Sequence, residues 1–261
     1  MSETQMMPAI FVGHGNPMNA LEHNGYTEAW HRFGASVPTP RAILVISAHW
    51  YGAGTAVTAM KQPKTIHDFA GFPAELFAVR YGAPGSPEVA AEIAAVLAPT
   101  PVALDQQWGL DHGTWSILVH MFPNANVPVL QLSIDARLST EQYIDLGARL
   151  APLREAGILI VGSGNVVHNL RMVDWSMPGR GAAWNEEFDR EARRLMTTDP
   201  TSIGSLARHA AYSRAVPTPD HFVPLLYIAG LAKAAGTTAE VLVGGYDLGS
   251  LSMTSFVVPG A

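Results

Sequence analysis

Three short apolar runs constrain this chain most: Ile10-Phe11-Val12, Ile43-Leu44-Val45-Ile46 and Ile158-Leu159-Ile160-Val161. They show no polar alternation. Such runs read as strands buried on both faces, the pattern of a parallel sheet covered by helices. Strand-like and helix-like segments alternate along the rest of the chain. Strands are predicted at 9–12, 42–47, 55–59, 102–104, 129–133, 158–162, 239–243 and 252–257, and helices at 26–33, 87–97, 114–122, 140–155, 184–197 and 222–235. Ser86-Pro87 and Ser139 supply N-cap signals for two of the helices. The alternation predicts an α/β fold: a single domain, 1–261, with a central mostly parallel sheet flanked by helices on both faces. With 261 residues, 48% of them hydrophobic, the chain can fill that one core. The stretches 171–181 and 208–219 read as loops beside histidines of interest.

All three runs lead into small-residue turns that carry histidine: Gly13-His14-Gly15, Ser47-Ala48-His49-Trp50 and Gly162-Ser163-Gly164-Asn165-Val166-Val167-His168. Two further turns, Asp111-His112-Gly113 and Asp220-His221, share this setting. Ligands of open α/β sheets collect at the carboxyl ends of the strands, so these imidazoles can converge. Neutral imidazole is the commonest protein metal ligand. A single histidine after a strand is ordinarily a cap or turn residue; the shared context of five carries the metal reading. His31 and His120 fall inside helical patterns, His209 in a polar stretch, and His67 is ambiguous.

Composition narrows the partners. Charged residues make up 15% of the chain and the net charge is −6, with no Lys/Arg cluster, which argues against nucleic acid or an anionic membrane. Cysteine is absent, which removes thiolate ligands and fits a cytoplasmic enzyme. Met1-Ser2-Glu3-Thr4-Gln5 lacks a leader pattern, and the longest apolar stretch, 222–232, falls short of the roughly 20 residues that span a bilayer. Gly162-Ser163-Gly164 hints at a dinucleotide loop, but the third glycine position holds Val167. Neither a Walker motif nor Gly-x-Ser-x-Gly is present.

The motifs, taken in order, carry a resemblance. They are Gly13-His14-Gly15-Asn16-Pro17-Met18, Ser47-Ala48-His49-Trp50, Thr65-Ile66-His67-Asp68-Phe69, Asp111-His112-Gly113, Ser163 to Leu170, Pro217-Thr218-Pro219-Asp220-His221 and Gly249-Ser250-Leu251-Ser252-Met253. Over nearly the whole chain this resembles the DOPA 4,5-dioxygenase branch of the class III extradiol ring-cleavage dioxygenases. The resemblance implies a mononuclear non-haem Fe(II) enzyme that opens a catechol with O2, and it implies that Zn(II) also occupies such sites. It aligns His14, His49 and His221 with metal ligands, and His168 with a base close enough to be a fourth. His112 aligns with a catalytic neighbour of the substrate hydroxyls, and His67 with a pocket-lining position. Asp111 and Trp50 are expected beside the substrate too, with Phe69, Phe72 and Trp115 as further walls or as plain core.

Non-haem Fe(II) oxygenases usually combine two histidines with a carboxylate. Here His221 stands third, with Asp220 beside it as the alternative ligand. The leading reading is an extradiol dioxygenase with a small catecholic substrate and O2 as partners. A zinc hydrolase and a non-enzymatic metal-binding relative of the fold are the alternatives. Monomer and homo-oligomer are both open.

Overall fold

The computed structural model describes residues 6–260. The segment 1–5, expected above to lack a leader pattern, lies outside them. The strands are β1 Ala9–Gly13, β2 Ala42–Gly52, β3 Thr55–Thr58, β4 Val102–Asp105, β5 Val129–Asp135, β6 Ile158–Gly164, β7 Glu240–Val243, β8 Tyr246–Asp247, β9 Leu251–Ser252 and β10 Ser255–Val258. The helices are α1 Gly25–Ser36, α2 Ala74–Ala78, α3 Pro87–Val96, α4 His112–Met121, α5 Thr140–Arg149, α6 Ala151–Glu155, α7 Ala183–Thr198, α8 Tyr212–Ala215 and α9 Val223–Ala235.

The three apolar runs form the centre of an eight-stranded sheet ordered β4-β3-β5-β2-β6-β1-β10-β7. The four middle strands, β5, β2, β6 and β1, run parallel. Direction reverses at β3 on one side and at β10 on the other. The sheet is therefore mixed, with a parallel core, and the expected α/β fold holds. Period-two alternation divides each central strand between two hydrophobic cores. Phe11, Leu44 and Ile160 join the core beneath α3, α5, α7 and α9, whereas Ile10, Val45 and Val161 join the core beneath α1 and α4. Helices thus cover both faces.

Differences from the sequence expectations have local causes. The predicted helix at 140–155 is two helices, because Pro152 has no amide hydrogen and crowds the carbonyl four residues earlier. It serves instead at the start of α6. The segment 252–257 splits into β9 and β10, which belong to different sheets. Helix α4 begins two residues earlier than expected because Asp111, not Gly113, is its cap: Asp111 Oδ1 accepts the Thr114 N–H at 3.2 Å. That puts His112 in the first turn of α4. Short elements went unseen: α2 has five residues and α8 four, too few for a helical period to declare itself. Among the described residues no helix is long and apolar enough to cross a membrane.

Candidate active site

Parallel pairing brings the histidine turns together. Gly13 is in register with Gly164, and Ser47 with Ser163, so the carboxyl ends of β1, β6 and β2 form one edge. His14 leaves β1 with its N–H on Gly164 O at 3.0 Å. His49 lies inside β2, which runs five residues beyond its predicted end. The β2–β5 ladder is interrupted between Ile46 and Tyr51, and His49 sits in the interruption. Such irregularities bend a strand and re-aim its side chains. His221 stands just before α9, its carbonyl accepting the Asn165 N–H at 2.9 Å. A Cβ on Gly164 would lie 2.1 Å from that carbonyl, and one on Gly113 would lie 2.6 Å from Ser47 Oγ. The Gly162-Ser163-Gly164 turn is therefore glycine-rich because α9 docks on it, not because a dinucleotide does.

The geometry fixes the tautomers. Ser163 Oγ donates to Gly113 O at 2.5 Å, which spends its only hydrogen. His14 Nδ1, 2.9 Å from Ser163 Oγ, must then be the donor, and His14 Nε2 carries a bare lone pair. His49 Nδ1 lies 3.2 Å from Asp68 Oδ2, which likewise places its hydrogen on Nδ1. His221 Nδ1 is bonded to Asp220 Oδ2. The two bare nitrogens, His14 Nε2 and His49 Nε2, face each other at 3.3 Å. Two lone pairs at that separation repel unless a cation lies between them. Two imidazoles sharing an ion at about 2.0–2.1 Å, with a ligand–ion–ligand angle between square and tetrahedral, stand roughly 2.9–3.4 Å apart. The donor set and spacing therefore fit a metal. Anchoring of the far ring nitrogen by a hydroxyl or carboxylate is the usual support for a metal-binding histidine.

His112 lies closer to the pair than the sequence suggested. Its ring centroid is 3.9 Å from that of His49, and His14, His49 and His112 offer nitrogens all within 4.8 Å of one another. His221 keeps its centroid 5.3 Å from His14 and 5.0 Å from His49. It is held by Asp220 on one side and stacked on His168 with ring centroids 3.5 Å apart and planes nearly parallel. His168 hangs from Ala215 O by its backbone N–H at 2.9 Å, so the 208–219 stretch does contact the site. Burial favours the neutral form of three of these rings. Burial, then the neighbouring imidazoles, push His14 well below its ordinary pKa. His49 is lowered in the same way, against the pull of Asp68. Burial and His221 push His168 down to about 3.

Asp68 is the functional residue that the sequence reading quoted without assigning. Its carboxylate touches His49 Nδ1, accepts the His112 backbone N–H at 2.9 Å, and lies 3.0 Å from His112 Nδ1, off the line of a good hydrogen bond. Burial pushes this carboxyl up, but the bonding and charge of His112, then His49, outweigh it and hold it at about 2. The signal that could have found it is the motif His67-Asp68-Phe69, where a carboxylate adjoins a histidine.

A cavity of about 570 Å³ opens in front of the imidazoles. His14, His49, His112, His168 and His221 all line it, with Asp68, Phe69, Phe72 and loop residues Leu170, Val173 and Trp175. The three expected substrate contacts do not. Trp50 stacks on Trp108 at 5.3 Å, and His67 bonds Val79 O at 3.0 Å and packs on Phe69 and Trp115. Asp111 is fully buried behind the wall, held by Ser47 at 2.7 Å and Gln131 at 2.6 Å. Burial, then Asp68, raises its pKa. These three position their neighbours instead of facing the cavity, and Trp115 is likewise core. A second hollow of about 610 Å³, lined by His23, His31 and His120, lies elsewhere. There His120 Nε2 is spent on Asn19 O and His31 Nδ1 on His120 O, and among the described residues those rings form no close ligand group.

Bare imidazole nitrogens gathered over a parallel-sheet edge form a pocket whose donors suit a metal ion. The sequence match says of what kind: residues 8–257 fit the family of the catalytic LigB subunit of aromatic ring-opening dioxygenase, and the chain belongs to it. A 4,5-DOPA dioxygenase extradiol of Escherichia coli (strain K12) is 45% identical over 98% of this chain and 95% of the relative. One of the same description from Beta vulgaris is 36% identical over 98% and 97%. The crystal structure of an uncharacterised Escherichia coli K12 protein superposes with a TM-score of 0.85 at 40% identity, covering 97% of this chain and all of that one.

Proposed function

We propose that this protein is an extradiol catechol dioxygenase of a single catalytic domain, acting in the cytoplasm on DOPA-like substrates. The reading rests on one observation above all. His14 and His49 present two bare nitrogens to each other at 3.3 Å, each fixed in that tautomer by a partner on its far side. His14, His49 and His221 hold the metal in this reading, with His168 at its margin. Each of the three has its Nδ1 engaged, and the all-nitrogen set suits both Fe(II) and Zn(II). Asp220 serves as the anchor of His221, since its oxygen is already bonded to the ring. Fe(II) bound there supplies the redox centre through which a catecholate and O2 exchange electrons, and Zn(II) does not.

The chain's own groups manage protons and water. His168, stacked on His221 in the cavity wall, takes the proton of a ring hydroxyl. His112, steadied by Asp68, hydrogen-bonds the oxygen on which charge develops and returns a proton as the ring opens. Phe69 and Phe72 pack the ring and keep water from it. The carbon–carbon bond beside the hydroxyls breaks, both atoms of O2 enter the product, and a semialdehyde bearing a new carboxylate results. From DOPA this is a seco-DOPA that cyclises.

The test is oxygen uptake with DOPA, caffeate and protocatechuate after anaerobic loading with Fe(II) or Zn(II). Iron-loaded protein is expected to consume O2 and zinc-loaded protein not to. Equal activity of the two after chelator controls would overturn the dioxygenase reading in favour of a zinc hydrolase. Activity with neither metal favours a non-enzymatic relative.

A further inference from the structure

The mouth of the cavity offers charge as well as apolar surface. Leu170, Val173 and Trp175 line it from one loop, and Leu170 and Trp175 are 64% and 79% exposed. Arg171 stands in the same loop between these wall residues and is exposed too. Its backbone is fixed. The Arg171 N–H donates to Asn169 Oδ1 at 3.1 Å, and the Asn169 amide donates in turn to Arg214 O at 2.8 Å. Asn169 is buried and follows His168, whose own N–H is held by Ala215 O at 2.9 Å. One asparagine thus ties the stem of Arg171 to the segment that carries the base. The guanidinium is not tied: among the described residues it has no hydrogen bond and no ion pair, and the bond of Arg171 to Asn169 is made by its backbone. The carboxylates of the surrounding loops have partners of their own. Asp174 Oδ1 accepts the Ser176 N–H at 2.9 Å and its hydroxyl at 2.6 Å. Asp247 Oδ1 accepts the Gly179 and Leu248 N–H groups, both at 3.0 Å. Asp220 is bonded to His221, and Asp68 faces His49 and His112. Arg180, the other arginine of the loop, donates to Ser176 O at 2.7 Å.

We propose that Arg171 reads a carboxylate on the substrate's side chain, so that catechols with an anionic headgroup are favoured over neutral ones of the same shape. The inference rests on the catechol-cleaving reading and names the residue that distinguishes among its substrates. With both hydroxyls directed at the imidazoles, a substituent on the far side of the ring points outward to the loop of Leu170, Val173 and Trp175. Its methylenes cover apolar wall there, and a carboxylate at its end meets Arg171. A guanidinium presents donors in a fixed fork that takes both carboxylate oxygens at once. A carboxamide of the same shape brings one oxygen and no charge. The net charge of −6 sharpens the contrast, since the protein at large repels an anion that this residue attracts. The pair forms at an exposed position, so salt weakens it.

The probes are two acid–amide pairs: 3-(3,4-dihydroxyphenyl)propionate with its carboxamide, and DOPA with its carboxamide. Anaerobic calorimetric titration of the Fe(II)-loaded protein gives their affinities, and kcat/KM in air is measured on the same four. Each acid is expected to bind about fivefold more tightly than its amide in dilute buffer, the upper end for an exposed ion pair, and the ratio should shrink toward one in about 1 M salt. Arg171→Ala should bring both ratios close to one, and Arg171→Lys, which keeps the charge without the fork, should retain part of them. Each ratio is taken within one sample, which makes it insensitive to metal loading and to a partly unfolded fraction. A ratio near one in the parent protein, with ring cleavage intact, overturns the headgroup preference and leaves the catechol reading standing. A ratio that survives Arg171→Ala, or falls only in Arg214→Ala, overturns the assignment to Arg171. Failure of all four probes, and of catechol itself, to bind or turn over removes the catechol reading and this inference with it.

Discussion

Asp68→Asn isolates the support of the imidazole cluster from the cluster itself. The substitution keeps the shape of the side chain and removes one acceptor and the charge. Asp68 Oδ1 takes the His112 backbone N–H at 2.9 Å, while Oδ2 faces His49 Nδ1 at 3.2 Å. An asparagine satisfies the first contact with its carbonyl oxygen, which leaves its NH2 opposite the His49 Nδ1–H. Two donors then confront each other. His49 relieves this by moving its hydrogen to Nε2, the nitrogen that faces His14 at 3.3 Å, and that tautomer cannot bind a metal. A hydrogen bond to a charged group is worth about 1.5–3 kcal/mol against about 1 for a neutral one, so the lost increment is roughly 0.5–2 kcal/mol before any tautomer cost. That is up to about 30-fold, overlapping the lower part of the 10–100-fold range typical when the anchor of a metal-binding histidine is removed. Competitive titration of Zn(II) or Fe(II) against a chelator of known affinity measures it directly, with thermal melts confirming that the variant is folded. An affinity within twofold of the parent, in a folded variant, would refute the tautomer argument.

Three further outcomes are expected. His168→Ala should lower kcat on a catechol by about 10²–10⁴-fold while metal affinity, read by the same competition, changes by less than about threefold; loss of the metal would make His168 chiefly a ligand. His221→Ala should strip bound metal measured by elemental analysis, whereas His112→Ala should retain metal and lose turnover. The reverse result would assign the third ligand to the tight trio His14, His49 and His112. Gly164→Ala places a Cβ 2.1 Å from the His221 carbonyl, a backbone atom that cannot swing aside, so a loss of about 1–3 kcal/mol is expected in denaturant unfolding together with weakened metal binding.

How far the sequence revealed this protein depends on the length over which each signal accumulates. Each central strand is a run whose burial needs no partner to be read, so the positions of β1, β2 and β6 were legible, and strand-end logic then brought His14, His49 and His168 to one edge. His112 and His221 reach the same cavity from a helix start and a turn. What stayed hidden depends on pairs far apart in the chain. Ser163 and Gly113 settle the His14 tautomer across 50 residues. Asp68 settles His49 only because the loop carrying it folds back over β2. Trp50, His67 and Asp111 are chemically apt side chains within motifs whose other residues line the cavity, and they themselves do not line it. At Trp50 the strand period explains the outcome: successive residues of a strand point to opposite faces, so the residue after an inward-facing His49 must turn away from it. The same reasoning reaches Trp175 from the other direction. No periodicity announces it, because the 170–182 loop has only a single short turn of helix, Leu170–Met172, and its place in the cavity wall follows from where Leu248 and Gly249 fold beside that loop. The convergence of the histidines was therefore readable from the strand ends, whereas the outer wall of the cavity is made by a loop whose place exists only once the chain has closed.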